Sequence, residues 1–249
     1  MDLVNLTFGV SMFLTSKKVW ARFLAPLFVL GLVFQLAGCG DNEPEQRKAF
    51  TEYLQTSIIN GTKVKLPALT EEQKKAFGNY TKDYELLTGF SDQLNTAFSE
   101  SMQSSMNELR SLNSMKAMVD GREKVEKAQT EVKAVQTKLD EIIKKTADSY
   151  AALKQPDDLK AVYAQAYGKI VTQQGDLAKQ TLVLLDSTFD DILKISDFLK
   201  AQGDKIEYQG QVVQFTEQDA LDKFNEMNKS LQNNQQQLMA VAQKIAQLM

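Results

Sequence analysis

Cys39 is the only cysteine among 249 residues, and it closes the tetrapeptide Leu36-Ala37-Gly38-Cys39. Small residues before such a cysteine, after an apolar run, mark a secretory cleavage site. The ending is similar to the substrate of lipoprotein signal peptidase. In that system the thiol takes a diacylglycerol, cleavage falls before the cysteine, and the new amine is acylated. On this reading Leu36, Ala37, Gly38 and Cys39 are the peptidase recognition residues and Cys39 is the lipidation site. Lys17, Lys18 and Arg22 supply the cationic segment ahead of it, and Phe23 to Phe34 carries no charge. That run is about a dozen residues, short of the ~20 a spanning helix needs, and Pro26 weakens it further as a helix. Two rival readings are an ordinary signal with an incidental cysteine and a retained anchor helix. Residues 1–38 are therefore expected to be a signal peptide. Translation is expected from Met12, because Met1 to Val10 holds Asp2 and no cation.

Other side chains offer less chemistry. Histidine is absent, which removes Ser-His-Asp and Cys-His catalysis and the common zinc sites. The adjacent acids Asp157/Asp158, Asp190/Asp191 and Asp140/Glu141 would point in different directions on a helix, so they make poor general acid/base pairs. Asp157 and Asp158 suit a helix N-terminus, where negative charge is favoured. Met102, Met106, Met115 and Met118 are soft donors that could hold Cu(I), or fillers of an irregular core. Tyr163, Tyr167, Phe189 and Phe198 could line a pocket or pack a core. No Ser-x-x-Lys or Gly-x-Ser-x-Gly is present. The chain is expected to be no enzyme, with no catalytic residue, no cofactor and no metal site.

Three of the 29 cations and one of the 32 acids precede Cys39, so the remainder carries a net charge of −5. Such a balance argues against nucleic acid, whose binding rests on phosphate neutralisation, and against electrostatic docking on anionic lipid. With one cysteine no intramolecular disulfide can form, so packing alone must hold the body.

The remaining pattern is helical. Residues 39–45 are expected to be a lipidated tether and 46–249 a helical periplasmic domain. A first helix opens at Pro44 or Glu45, with Ala49, Phe50, Tyr53, Leu54 and Ile58 on one face, and Asn60-Gly61 ends it. Thr70 and Gln73 form a capping box. Phe77 to Leu112 steps by three and four, with bends expected at Gly78 and Gly89. A turn at Asp120-Gly121 leads to a heptad at Val125, Ala128, Val132, Val135, Leu139 and Ile142, which could pair within the chain or with a second chain. Pro156 stops that helix. Leu159 to Ile170 follows, with a break at Gln173 to Asp176, then a helix to Gln202 capped by Gly203. Lys205–Tyr208 and Gln211–Phe215 flank Gln209-Gly210 as a hairpin. Thr216 caps a last helix striped by Leu221, Phe224, Leu231, Leu238, Ala242 and Ile245, with Asn228 and Gln235 on the same seam. The fold expected is mainly α, an elongated antiparallel helical bundle with one β-hairpin near residues 205–215.

Several segments carry a likeness: Gln46-Arg47-Lys48-Ala49-Phe50, Leu66-Pro67-Ala68-Leu69-Thr70, Gln73 to Gly78, Ala152 to Lys160 and the hairpin region after Gln202-Gly203. Together they resemble the YiaF-type bacterial lipoproteins, a domain-of-unknown-function family. The resemblance implies a lipid-anchored envelope protein and brings no catalytic residues with it. The expectation is a non-enzymatic binding or scaffolding lipoprotein, attached to the membrane at Cys39 and facing the periplasm, with an unidentified envelope protein as partner and no nucleic acid. Gly40 after the cysteine favours the outer membrane by analogy with enterobacterial sorting, and Asp41 weakens that preference. The alternative is a carrier or sensor of an apolar or lipid ligand held between helices. A hydrolase using Ser, Asp or Lys is a third reading.

Overall fold

The computed structural model describes residues 42–61, 66–210 and 212–248. Eight α-helices and one hairpin follow in order: α1 (Glu43–Tyr53), α2 (Glu71–Phe77), α3 (Thr81–Leu109), α4 (Met115–Asp120), α5 (Arg122–Ala151), α6 (Asp157–Tyr167), α7 (Gln173–Gln202), β1 (Ile206–Gln209), β2 (Val212–Phe215) and α8 (Gln218–Leu248).

Local chemistry accounts for most of the ends. α1 starts with Glu43 and Glu45 in its first turn and a proline there, a placement that suits both the helix dipole and the missing proline N–H. The tether expected over 39–45 therefore gives up Glu43, Pro44 and Glu45 to the helix. Thr70 Oγ1 accepts from the Gln73 N–H while Gln73 Oε1 accepts from the Thr70 N–H, which closes the capping box at α2. Gly78 ends α2 at φ +53°, a backbone shape that costs a side-chained residue energy. A Cβ there would also lie 2.1 Å from Gln46 Oε1 of α1. The helix therefore turns at Gly78 through a short 3₁₀ stretch into α3, and it runs unbroken through Gly89.

Four long helices make the body. α3 packs on α5, α5 on α7 and α7 on α8. Each pair is antiparallel: Glu108 near the end of α3 meets Lys127 near the start of α5, Arg122 meets Asp197, and Lys179 meets Asp140. Asp191 of α7 accepts from Ser230 and Asn234 of α8. The heptad is thus satisfied within the chain, because Val125, Ala128, Val132, Val135, Leu139 and Ile142 are all buried in α5. α4, which the sequence pattern did not announce, is capped by Ser114 Oγ accepting from the Ala117 N–H. It buries Met115 and Met118 against the main core.

Further expectations fail in the second half of the chain. No break occurs at Gln173 to Asp176. α6 passes through a π-helical turn, Gly168–Thr172, straight into α7. Gly175 marks close helix packing rather than a break, since a Cβ there would lie 3.2 Å from Ile143 Cδ1 of α5. The last helix buries Val241 and leaves Ala242 exposed. The step after Leu238 is therefore three residues, not four. At the helix start, Thr216 Oγ1 donates to the Lys205 carbonyl and closes the hairpin base.

The hairpin pairs Ile206 with Phe215 and Gln209 with Val212, and Gly210 takes φ +63° in the turn. It rests on the bundle through Phe215, 6.4 Å from the Phe198 ring and 5.1 Å from Phe224. No helix among the described residues is long and apolar enough to cross a membrane.

Candidate functional site

Leu36, Ala37, Gly38 and Cys39 lie outside the described residues. The described chain begins three residues beyond Cys39, at Asn42, so the site that bears on them is the end of the body where α1 starts.

That end is cross-braced. Arg47 Nη1 donates to Asp158 Oδ1 at 3.2 Å, and Lys169 Nζ donates to the Ile58 carbonyl at 2.8 Å, each pair separated by 111 residues. A constant offset means that α1 and its π-helical extension, Leu54–Ile59, run parallel to α6 and its own π turn. Lys169 also donates to the carbonyls of Ile59, at 3.0 Å, and Gly61. One ammonium thereby satisfies three carbonyls at a helix C-terminus, where they lack partners within the helix and where a cation meets the negative end of the dipole.

Aromatic rings fill the space between. Phe50 lies 5.3 Å from Phe77, 5.8 Å from Tyr80 and 6.4 Å from Tyr163. Tyr53 extends the cluster to Tyr84, and Tyr150 extends it to Tyr167 at 4.2 Å. The hydroxyls are used: Tyr84 donates to the Pro67 carbonyl at 2.7 Å, Tyr163 to the Asp83 carbonyl at 2.6 Å, and Tyr80 to Glu43. Burial raises the pKa of Tyr84 and Tyr163 above the ordinary phenol value, and burial with the Glu43 bond pushes Tyr80 up to about 12. These phenols stay protonated donors at physiological pH, which suits a structural role. Burial also raises the Asp83 carboxyl, partly offset by its bond from Gln155.

The sequence-picked groups do not converge. Asp157 and Asp158 occupy the first turn of α6 without a side-chain cap. Asp140 pairs with Lys179 and Asp190 with Lys194. Met102, Met115 and Met118 are in the main core, with Met106 packed against it. Tyr163 and Tyr167 belong to the aromatic end, Phe189 to the middle of α7, and Phe198 to the hairpin end, where Lys223 Nζ sits 5.4 Å from its ring. Sequence reasoning missed Lys169 and both π turns. The signal for the second turn is the adjacent pair Ile170 and Val171, both buried, which a regular helix facing one neighbour rarely places inward together.

An open recess of about 450 Å³ lies where the α6–α7 junction meets the last turns of α8. Thr172, Gln173, Asp176 and Lys244 line it beside Leu177 and Leu248.

A family model described as a protein of unknown function (DUF3053) matches residues 27–247. The uncharacterized protein YiaF of Escherichia coli strain K12 is 30% identical over 215 residues, covering 86% of this chain and 90% of that protein. YiaF of Shigella flexneri gives the same figures. No solved structure matches. The chain is a member of the DUF3053 family, to which the residues noted from the sequence had pointed.

Proposed function

We propose that this chain is a lipid-anchored protein of the bacterial envelope that acts by binding another envelope component, without catalysis. The observation that carries the reading is the single cysteine placed after Leu36-Ala37-Gly38, behind a cationic and then apolar segment. The family match begins at Leu27 and so includes these residues. Membrane attachment then depends on acyl chains at Cys39. One chain binds a membrane only marginally, with K of roughly 10⁴ M⁻¹, and the three expected here would hold it stably. The body faces the periplasm, and the outer membrane is favoured by Gly40.

A scaffold also fits the surface better than a carrier does. Ligand sites are concave and bury most of their ligand, whereas the recess beside α8 is open to solvent. A body without histidine, whose acids pair with lysines and arginines along its long helices, offers little to a hydrolytic mechanism.

The test is Cys39→Ala with fatty-acid labelling of growing cells. Label is expected on the parent chain and none on the variant, which accumulates as unprocessed precursor. Persistent label on the variant would refute the lipobox. Cross-linking in intact cells should then capture one reproducible envelope partner. Turnover of a substrate by the purified protein, lost on a point substitution, would replace the scaffold reading with an enzymatic one.

A further inference from the structure

We propose that the body stands on end against the polar headgroup layer, with the start of α1 at the membrane and the hairpin at the far tip; this rests on the lipid-anchor reading. Three observations carry it. First, α1 opens at Glu43, so only Gly40, Asp41 and Asn42 separate it from Cys39. Four peptide links reach at most about 14 Å, which holds that end at the headgroups.

Second, everything else extends one way. α1 runs parallel to α6, as Arg47–Asp158 and Lys169–Ile58 fix. α6 continues through its π turn into α7 without interruption from Asp157 to Gln202. At 1.5 Å per residue that path is about 70 Å long. The hairpin begins four residues after it.

Third, the flanks give the body no reason to lie down. Among the described residues the exposed large hydrophobics are Val183 of α7 and Met239 of α8, far less than the several hundred Å² of apolar surface that marks a membrane-binding face. Acids outnumber cations on α3 and α7, and the net charge beyond Gly38 is −5, so an anionic bilayer repels the flank. At the α1 end the exposed Lys48, Lys154 and Lys160 alternate with Glu45, Asp157 and Asp158, a mixed surface that suits headgroups without inserting.

The experiment is neutron reflectometry on the lipid-bearing protein, purified from membranes and reconstituted into a supported bilayer of phosphatidylethanolamine and phosphatidylglycerol. A protein layer about 60–70 Å thick is expected, the length of the α6–α7 path. A layer of about 30 Å, two or three packed helices deep at 8–10 Å between axes, would overturn the proposal. Mass spectrometry of the same preparation reads the anchor separately. If Cys39 carries no acyl group, the anchoring reading fails, and the same measurement is made after coupling Cys39, the single thiol, to a maleimide phospholipid. A thick layer then keeps the upright geometry, and a thin one ends it.

Discussion

The α1 end and the α8 edge are built to different standards. At the α1 end, rings from α1, α2, α3, α5 and α6 interlock around Phe50, the hydroxyls of Tyr80, Tyr84 and Tyr163 are bonded, and Lys169 closes the carbonyls of the first helix. At the other side, α8 leans chiefly on α7. The lower half of that seam is a small cluster of its own, Leu184, Leu238 and Val241. Higher up, Asn228 is buried with neither amide atom bonded, and the α7–α8 register places it beside Ser196, also buried and unbonded. The contrast teaches where stability is spent: one end is over-determined, while the edge helix holds by a single seam. Local opening free energies follow such differences in contact density.

The largest expected effect comes from hollowing each region in turn. Phe50→Ala removes a fully buried ring and should cost about 3–5 kcal/mol, lowering the midpoint of thermal unfolding by roughly 10 °C for a chain of this size. Leu238→Ala should cost only about 2 kcal/mol, at the low end for its type. Hydrogen exchange should accelerate over residues 234–248 and stay unchanged around Phe50. Equal losses from the two substitutions would erase the distinction.

Next is Lys169→Met, which keeps the aliphatic stem and deletes the ammonium from three carbonyls. Hydrogen bonds to charged groups contribute about 1.5–3 kcal/mol, and a loss near 2–3 kcal/mol is expected in urea denaturation. Amide exchange should rise at residues 54–61 before the long helices respond. The smallest effect has the opposite sign. Asn228→Leu replaces an unbonded buried amide with an apolar group of similar branching and should stabilise by about 1 kcal/mol, since an unsatisfied buried polar group costs about that or more. A drop in the unfolding midpoint would mean that the amide has a partner after all, such as a buried water.

Much of this was legible from residue types alone, and the reasons are local. The capping box, the Pro156 stop, the α5 heptad and the hairpin each depend on neighbours within a turn or two. The failures are non-local. Lys169 has its partners more than 100 residues away, and nothing beside it in sequence marks it. The π turn that joins α6 to α7 adds one residue to a turn, which shifts the apolar phase and imitates a break. Val241 takes the place on the seam that the heptad pattern gave to Ala242. The candidate site divides the same way. The proposed lipidation at Cys39 rests on a linear motif, so it can be put forward from sequence alone. The brace around α1 was not, because it exists only once α1 and α6 lie side by side.

That parallel pairing has a mechanical side. A pull on Asn42 along the axis of α1 does not peel α1 off α6 one contact at a time. It slides one helix past the other, so the Arg47–Asp158 pair, the Phe50 ring and the three Lys169 bonds are loaded together. Bonds strained in shear fail collectively, at higher force than bonds opened in sequence. α1 is thus a rivet as well as a link: tension applied at Asn42 is spread over the whole α1–α6 interface before any of it can unfold the body.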